Sequence, residues 1–142
     1  MIKKIDLTTD FNHIIKLYDD VGWSAYTENP ENLKKGLENS TYLYGYFDDG
    51  NLIGIIRGLT DLTSIHFIQD IIVLTKSHGN GIGSKLVEYV SEVYKDVRAT
   101  LLLTDDEPSQ LAFYKKLQFS NTRDLVEVPL NAFVKYKDFE LS

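Results

Sequence analysis

The chain has no cysteine, one tryptophan, one methionine and three prolines in 142 residues. The missing cysteines exclude disulfides, thiolate metal sites and a cysteine nucleophile. The start, Met1 to Asp6, carries two lysines with no apolar run behind them, so no signal peptide is expected. Apolar runs fall far short of the ~20 residues a membrane helix needs. No membrane partner and no metal are expected, and a reducing, cytoplasmic setting fits. Positive charge is also scarce: 15 Lys and Arg face 21 Asp and Glu, a net charge of −6. That argues against general binding along a nucleic-acid backbone. It leaves room for a local phosphate site, because backbone amides can supply the field.

What is present suits one domain over 1–142, with no repeat, linker or low-complexity tract. Residues are 43% hydrophobic, enough for a core in a chain this long without a staple. Ile2–Leu7 reads as a strand. Thr9 or Asp10 can cap a helix carrying Phe11, Ile14, Ile15 and Tyr18. Val21–Thr27 reads as a loop, and Pro30 opens a second helix. Thr41–Phe47 and Leu52–Leu59, joined at Asp48-Asp49-Gly50-Asn51, form an expected hairpin. Ser64–Leu74 is a third strand, Gly81–Val93 a helix, Ala99–Leu103 a short strand and Ser109–Leu117 a helix. The last strands begin at Phe119 and include Ala132-Phe133-Val134. The order predicts a mixed α/β (α+β) sheet of about seven strands with about four helices.

The sharpest feature is His78-Gly79-Asn80-Gly81-Ile82-Gly83, between a buried strand and an amphipathic helix. Three glycines in five residues let the backbone approach an anion. The first free amides of the helix, with its dipole, then point at it. A P-loop would need a Lys-Ser/Thr pair that is absent. A dinucleotide fingerprint fails because Ser84 stands where its third glycine belongs, although Asp105 lies at the spacing of a ribose ligand.

Two motifs then resemble the GCN5-related N-acetyltransferases. Their cofactor motif, [QR]-x-x-G-x-[GA], begins five residues after a strand valine, and here Val73 precedes His78–Gly83 at that distance. Their second signature, an aromatic pair on a helix followed by Gly-Phe, is similar to Leu111-Ala112-Phe113-Tyr114-Lys115-Lys116-Leu117-Gln118-Phe119. Three positions depart from the pattern. His78 replaces Arg or Gln, Asn80 stands where a basic residue is common, and Gln118 replaces glycine at a turn that asks for a left-handed backbone.

The resemblance implies the acyl-CoA N-acyltransferase fold, mostly antiparallel with a splayed parallel pair. Acetyl-CoA would lie in the splay, its pyrophosphate on the turn from His78 to Ser84. A backbone N–H near Ile72 or Val73 would stabilise the thioester oxyanion. Tyr114 would be the general acid, with Phe113 beside it as the core residue. Asp70 is a candidate base and equally a candidate buried structural acid. Strand alternation puts Gln69 with Ile71 and Val73 on one face and Asp70 with Ile68 and Ile72 on the other, unless a bulge swaps them. Trp23, Tyr26 and Gln69 are the candidate acceptor-binding residues, the acceptor being an amine of a small molecule or peptide. Relatives often dimerise, so a homodimer is compatible. The alternatives are a non-catalytic acyl-CoA-binding module, suggested by the departures in the motif, and a nucleotide-binding domain using Asp105.

Overall fold

The computed structural model describes residues 1–138 and 140. They group into two compact units, one from Met1 to Leu103 and one from Thr104 onward.

The first unit is built on five strands in the order of the chain: β1 (Ile2–Lys4), β2 (Tyr42–Asp48), β3 (Asn51–Thr60), β4 (Ile65–Val73) and β5 (Ala99–Leu101). Neighbours pair antiparallel up to β4, and β4 pairs parallel with β5. The β2–β3 hairpin turns at Asp49-Gly50, both at positive φ, as its Asp-Gly sequence dictates. On one face lie α1 (Leu7–Asp20), the single-turn α2 (Ser24–Thr27) and α3 (Pro30–Glu38). Ile14, Leu17, Tyr18, Leu33 and Leu37 from these helices pack with Ile55 and Ile72 into one buried cluster. α4 (Ile82–Val93) covers the other face. There Tyr42 and Tyr44 meet Tyr94 and Tyr89 at ring distances of 5.1 and 5.0 Å. His66, fully buried on that side, exchanges a 2.7 Å hydrogen bond with the Tyr42 hydroxyl.

Two local expectations are corrected. α1 starts earlier than Thr9, because the Asp6 carboxylate accepts from the Thr8 N–H at 2.9 Å and caps the helix there. The segment expected as a loop around Trp23 contains the helical turn α2, closed by a Glu28 N–H to Ser24 carbonyl bond of 2.8 Å.

The second unit holds α5 (Pro108–Lys116) and a 3₁₀ turn at Thr122–Asp124. The strands expected after Phe119, including Ala132–Val134, are absent among the described residues, so the sheet has five strands rather than about seven. Pro129 removes a ladder donor from this stretch. No described strand pairs with it, and a strand without a ladder partner is not stable. No helix of the described residues is long and apolar enough to cross a membrane.

Candidate functional site

β4 ends at Val73, and a 3₁₀ turn, Thr75–Ser77, leads to the glycines. Asp20, at the end of α1, fixes that turn by accepting from the Thr75 N–H at 2.8 Å and its hydroxyl at 3.3 Å. Gly79 and Gly81 then take φ of 86° and 74°, a region that disfavours any side chain. A Cβ built on either would meet no atom within 4 Å, so the space above the turn is open. α4 starts at Ile82 with no side-chain cap, and its ladder begins with the Lys85 N–H donating to the Gly81 carbonyl at 3.0 Å. The N–H groups of Ile82, Gly83 and Ser84 therefore have no acceptor within their helix. His78 Nε2 donates to the Val73 carbonyl at 2.8 Å and Asn80 Nδ2 to the Ser77 carbonyl at 3.2 Å. Both residues that depart from the motif thus fold back on the preceding chain.

The edge of β4 next to this turn is unpaired. β5 pairs only with Ile65, His66 and Phe67, so among the described residues Ile68–Val73 run on without a strand on that side. The Leu74 N–H donates to the Ile53 carbonyl at 2.9 Å. Alternation along an antiparallel ladder then turns the Ile72 N–H toward β3 and the Val73 N–H toward the open edge. Of the two amides considered from sequence, Val73 is the one that faces outward, while Ile72 is spent on the sheet.

A β-bulge sits in the middle of β4. Arg57 pairs with Asp70 and Gly58 with Ile68, leaving Gln69 as the extra residue. The bulge moves Ile68 off the face that Asp70 shares with Ile72, which corrects the simple alternation. Asp70 turns toward the α1–α3 face and becomes the centre of a buried network. Its Oδ2 accepts from Arg57 Nε at 2.6 Å and from the Tyr18 hydroxyl at 2.9 Å, and its Oδ1 accepts from the Tyr26 hydroxyl at 3.4 Å. Arg57 Nη1 also donates to the Ser40 hydroxyl at 3.3 Å. Burial works to lower the Arg57 pKa, but the Asp70 charge and hydrogen bond together with the Tyr18 and Tyr26 hydroxyls outweigh it, and the guanidinium is held more firmly protonated. Burial first, then the Asp70 charge, raise the pKa of Tyr18 and of Tyr26.

Trp23 and Tyr26 come together around Tyr18, with ring centroids 6.0 Å (Trp23–Tyr18), 4.9 Å (Tyr18–Tyr26) and 6.0 Å (Trp23–Tyr26) apart. Trp23 is 37% exposed, so it is not core. Gln69 is exposed on the bulge. Beside this aromatic group is a half-open cleft of about 210 Å³ lined by Ala25, Tyr26, Asn29, Asn32, Leu33, Gly36 and Arg57. Arg57 and Tyr18 were not singled out from sequence. The signal for Arg57 was a lone cation in the apolar run Gly54–Leu59, one strand from the lone carboxylate of Phe67–Ile71.

In the second unit, Tyr114 is the buried member of the aromatic pair and Phe113 the partly exposed one, the reverse of the expectation. α5 explains why. Gln118 adopts φ 71°; its N–H donates to the Lys115 carbonyl at 3.0 Å, and the Phe119 N–H donates to the Tyr114 carbonyl at 3.0 Å. These two bonds make a Schellman termination, whose hydrophobic contact joins Tyr114 to Phe119 at 5.7 Å. The left-handed conformation expected at Gln118 is therefore realised without glycine. Burial pushes the Tyr114 phenol up to about 12.

A mixed sheet with an open strand edge, running into a glycine turn and an uncapped helix, defines an α/β domain whose backbone amides are left without partners within their helix. The acetyltransferase (GNAT) family model matches residues 8–119, and the chain belongs to that family. It is 29% identical over 119 residues to the uncharacterized N-acetyltransferase ycf52 of Gracilaria tenuistipitata var. liui, covering 79% of this chain and 63% of that relative's length. Among solved structures it is similar to the GNAT-family protein SP0256 of Streptococcus pneumoniae, with a TM-score of 0.75, 27% identity and coverage of 96% and 98% of the two chains. At 16% identity and a TM-score of 0.64, over 82% of this chain and 87% of the other, it shares its fold with the PaiA N-acetyltransferase of Thermoplasma acidophilum, solved in complex with coenzyme A.

Proposed function

We infer that this chain is an acetyl-CoA-dependent N-acetyltransferase acting on a primary amine. The observation that carries this reading is the open mouth of α4. Two glycines are held at positive φ with free space above them, three amides lack helix partners, and the unpaired edge of β4 lies alongside. Those features fit a diphosphate with an amide-bearing arm. Gly79, Asn80, Gly81, Ile82, Gly83 and Ser84 would hold the phosphates through backbone donors. His78 would frame the turn, and Val73 would meet the arm as an added strand would. When bound, acetyl-CoA supplies an activated acyl thioester.

The chain's own part is binding, polarisation and proton handling. The Val73 N–H offers a donor to an acyl oxygen as charge develops there. Tyr114 is assigned as the proton-bearing group for the sulfur leaving group. With its pKa near 12 against about 8.5 for a free thiol, full transfer is uphill by roughly 5 kcal/mol. Its main contribution is therefore a hydrogen bond to growing negative charge. Asp70 is already engaged by Arg57 and two tyrosines. It fits the role of positioning Tyr26 better than that of a base, and a water remains the simpler proton acceptor. Trp23, Tyr26 and Gln69 form the acceptor side in this reading.

Calorimetry with coenzyme A, followed by a thiol-release assay with acetyl-CoA and an amine panel, tests the proposal. No heat with coenzyme A would end it. The His78 to Val73 carbonyl bond occupies a group an incoming arm could use, and so favours one second reading, a module that binds acyl-CoA without turnover. Binding with no thiol released from any amine would select that reading.

A further inference from the structure

We propose that the cleft beside Tyr26 is a carboxylate-recognising site, and that the acceptor is a small amino acid, held by its carboxylate on Arg57. Arg57 is 8% exposed, yet its guanidinium reaches the cleft wall. Two of its nitrogens are committed, Nε to Asp70 at 2.6 Å and Nη1 to Ser40 at 3.3 Å. Those bonds, with a further one to the Tyr26 phenol, fix the plane of the fork, and two of its five N–H donors remain for a carboxylate in the cleft that Arg57 lines. A planar, oriented guanidinium is the side chain that matches a carboxylate.

The rest of the lining agrees. It contains no acidic side chain. Asn29 and Asn32 bring amide side chains at the first turn of α3 to the rim, the Asn29 Oδ1 accepting from the Asn32 N–H at 3.2 Å. Ala25 and Leu33 supply an apolar wall. At about 210 Å³ the cleft is smaller than the ~300–1,000 Å³ usual for drug-sized ligands, which selects a molecule of amino-acid size. Tyr26 ties the cleft to β4, because its ring lines the cleft and its hydroxyl donates to Asp70 on that strand. The fate of the amine rests on the N-acetyltransferase reading; the carboxylate site does not.

The sole tryptophan reports on it, since the Trp23 ring lies 6.0 Å from that of Tyr26. Fluorescence titrations of the full chain, without coenzyme A, would compare alanine, leucine, methionine and phenylalanine with their amides. At least one free acid is expected to bind about tenfold more tightly than its amide, the scale of one charge-assisted contact. Arg57→Lys keeps the cation and loses the fork, and Ala25→Asp puts a like charge at the exposed rim without touching the buried pair. Both should remove the preference while circular dichroism stays unchanged. Equal binding of acid and amide, no response to any acid, or a preference that survives both substitutions would overturn the proposal. Coenzyme A calorimetry on the same samples separates the two readings. Heat without acid preference sinks only the carboxylate site, and acid preference without heat sinks only the acetyl-CoA reading.

Discussion

Asp70→Asn is the substitution whose consequence the structure fixes most tightly. The change keeps the size of the side chain and its ability to accept from Tyr18, but it removes the charge that faces Arg57. Arg57 is then a buried cation with no partner anion, 2.6 Å from a neutral amide. Removing one member of a buried ion pair costs about 3–5 kcal/mol, because the other is left desolvated and unpaired. Unfolding entropy scales with chain length, and for 142 residues this loss lowers the melting temperature by about 10–15 °C. Urea denaturation with matched circular dichroism and fluorescence transitions is the assay. Arg57→Met, which strands the carboxylate instead, should cost a similar amount. The double variant should lose at least ~1 kcal/mol less than the sum of the two, since neither charge is then stranded. A cost below about 1 kcal/mol for Asp70→Asn, or strict additivity in the cycle, would refute the claim that the pair is buried and mutually dependent.

Four further outcomes are expected. Gly81→Ala should cost about 1–2 kcal/mol of stability purely from its left-handed φ, because nothing lies within reach of the new methyl; thermal melts check it. Gln118→Gly should stabilise by about 1 kcal/mol for the converse reason, and an unchanged melt would argue against the Schellman ending of α5. The Tyr114 phenol is raised to about 12 from an ordinary 10. Its contribution, about 3 kcal/mol, is therefore whole below pH 10 and is lost as pH climbs through 12; Tyr114→Phe should flatten that alkaline decline and lower turnover about 100-fold with coenzyme A affinity kept. Burial lowers the His66 pKa below 6.5, so its contribution is present above pH 6.5 and lost as pH falls through the folded value. An NMR titration of its ring should show a midpoint under 6.5, and a midpoint above it would place the imidazole outside the buried Tyr42 contact.

Much of the fold, and the backbone shape of the glycine turn, was legible in local pattern. The glycine turn, the Asp-Gly hairpin turn and the strand that precedes the glycines are short-range features, decided by residues within a few positions of each other. The parts that escaped depend on partners far along the chain. The Gln69 bulge exists only in the register between β3 and β4, so the alternation of β4 alone put Ile68 on the wrong face. Arg57 and Asp70 are thirteen residues apart, and Tyr18 lies fifty-two from Asp70, so neither spacing announces a network. Thr9 and Asp10 were plausible caps by residue type, and only geometry could prefer Asp6. The apolar residues after Phe119 have strand composition, but composition does not supply the neighbour a strand requires.

The central claim is that backbone amides at the entrance of α4 receive a diphosphate. Amide chemical shifts followed during addition of coenzyme A test it residue by residue. The account predicts saturable shifts concentrated at Gly79–Ser84 and Val73, with the β1–β2 amides still. Unmoved signals at the glycine turn in the presence of millimolar coenzyme A, or shifts confined to other parts of the sheet, would contradict it.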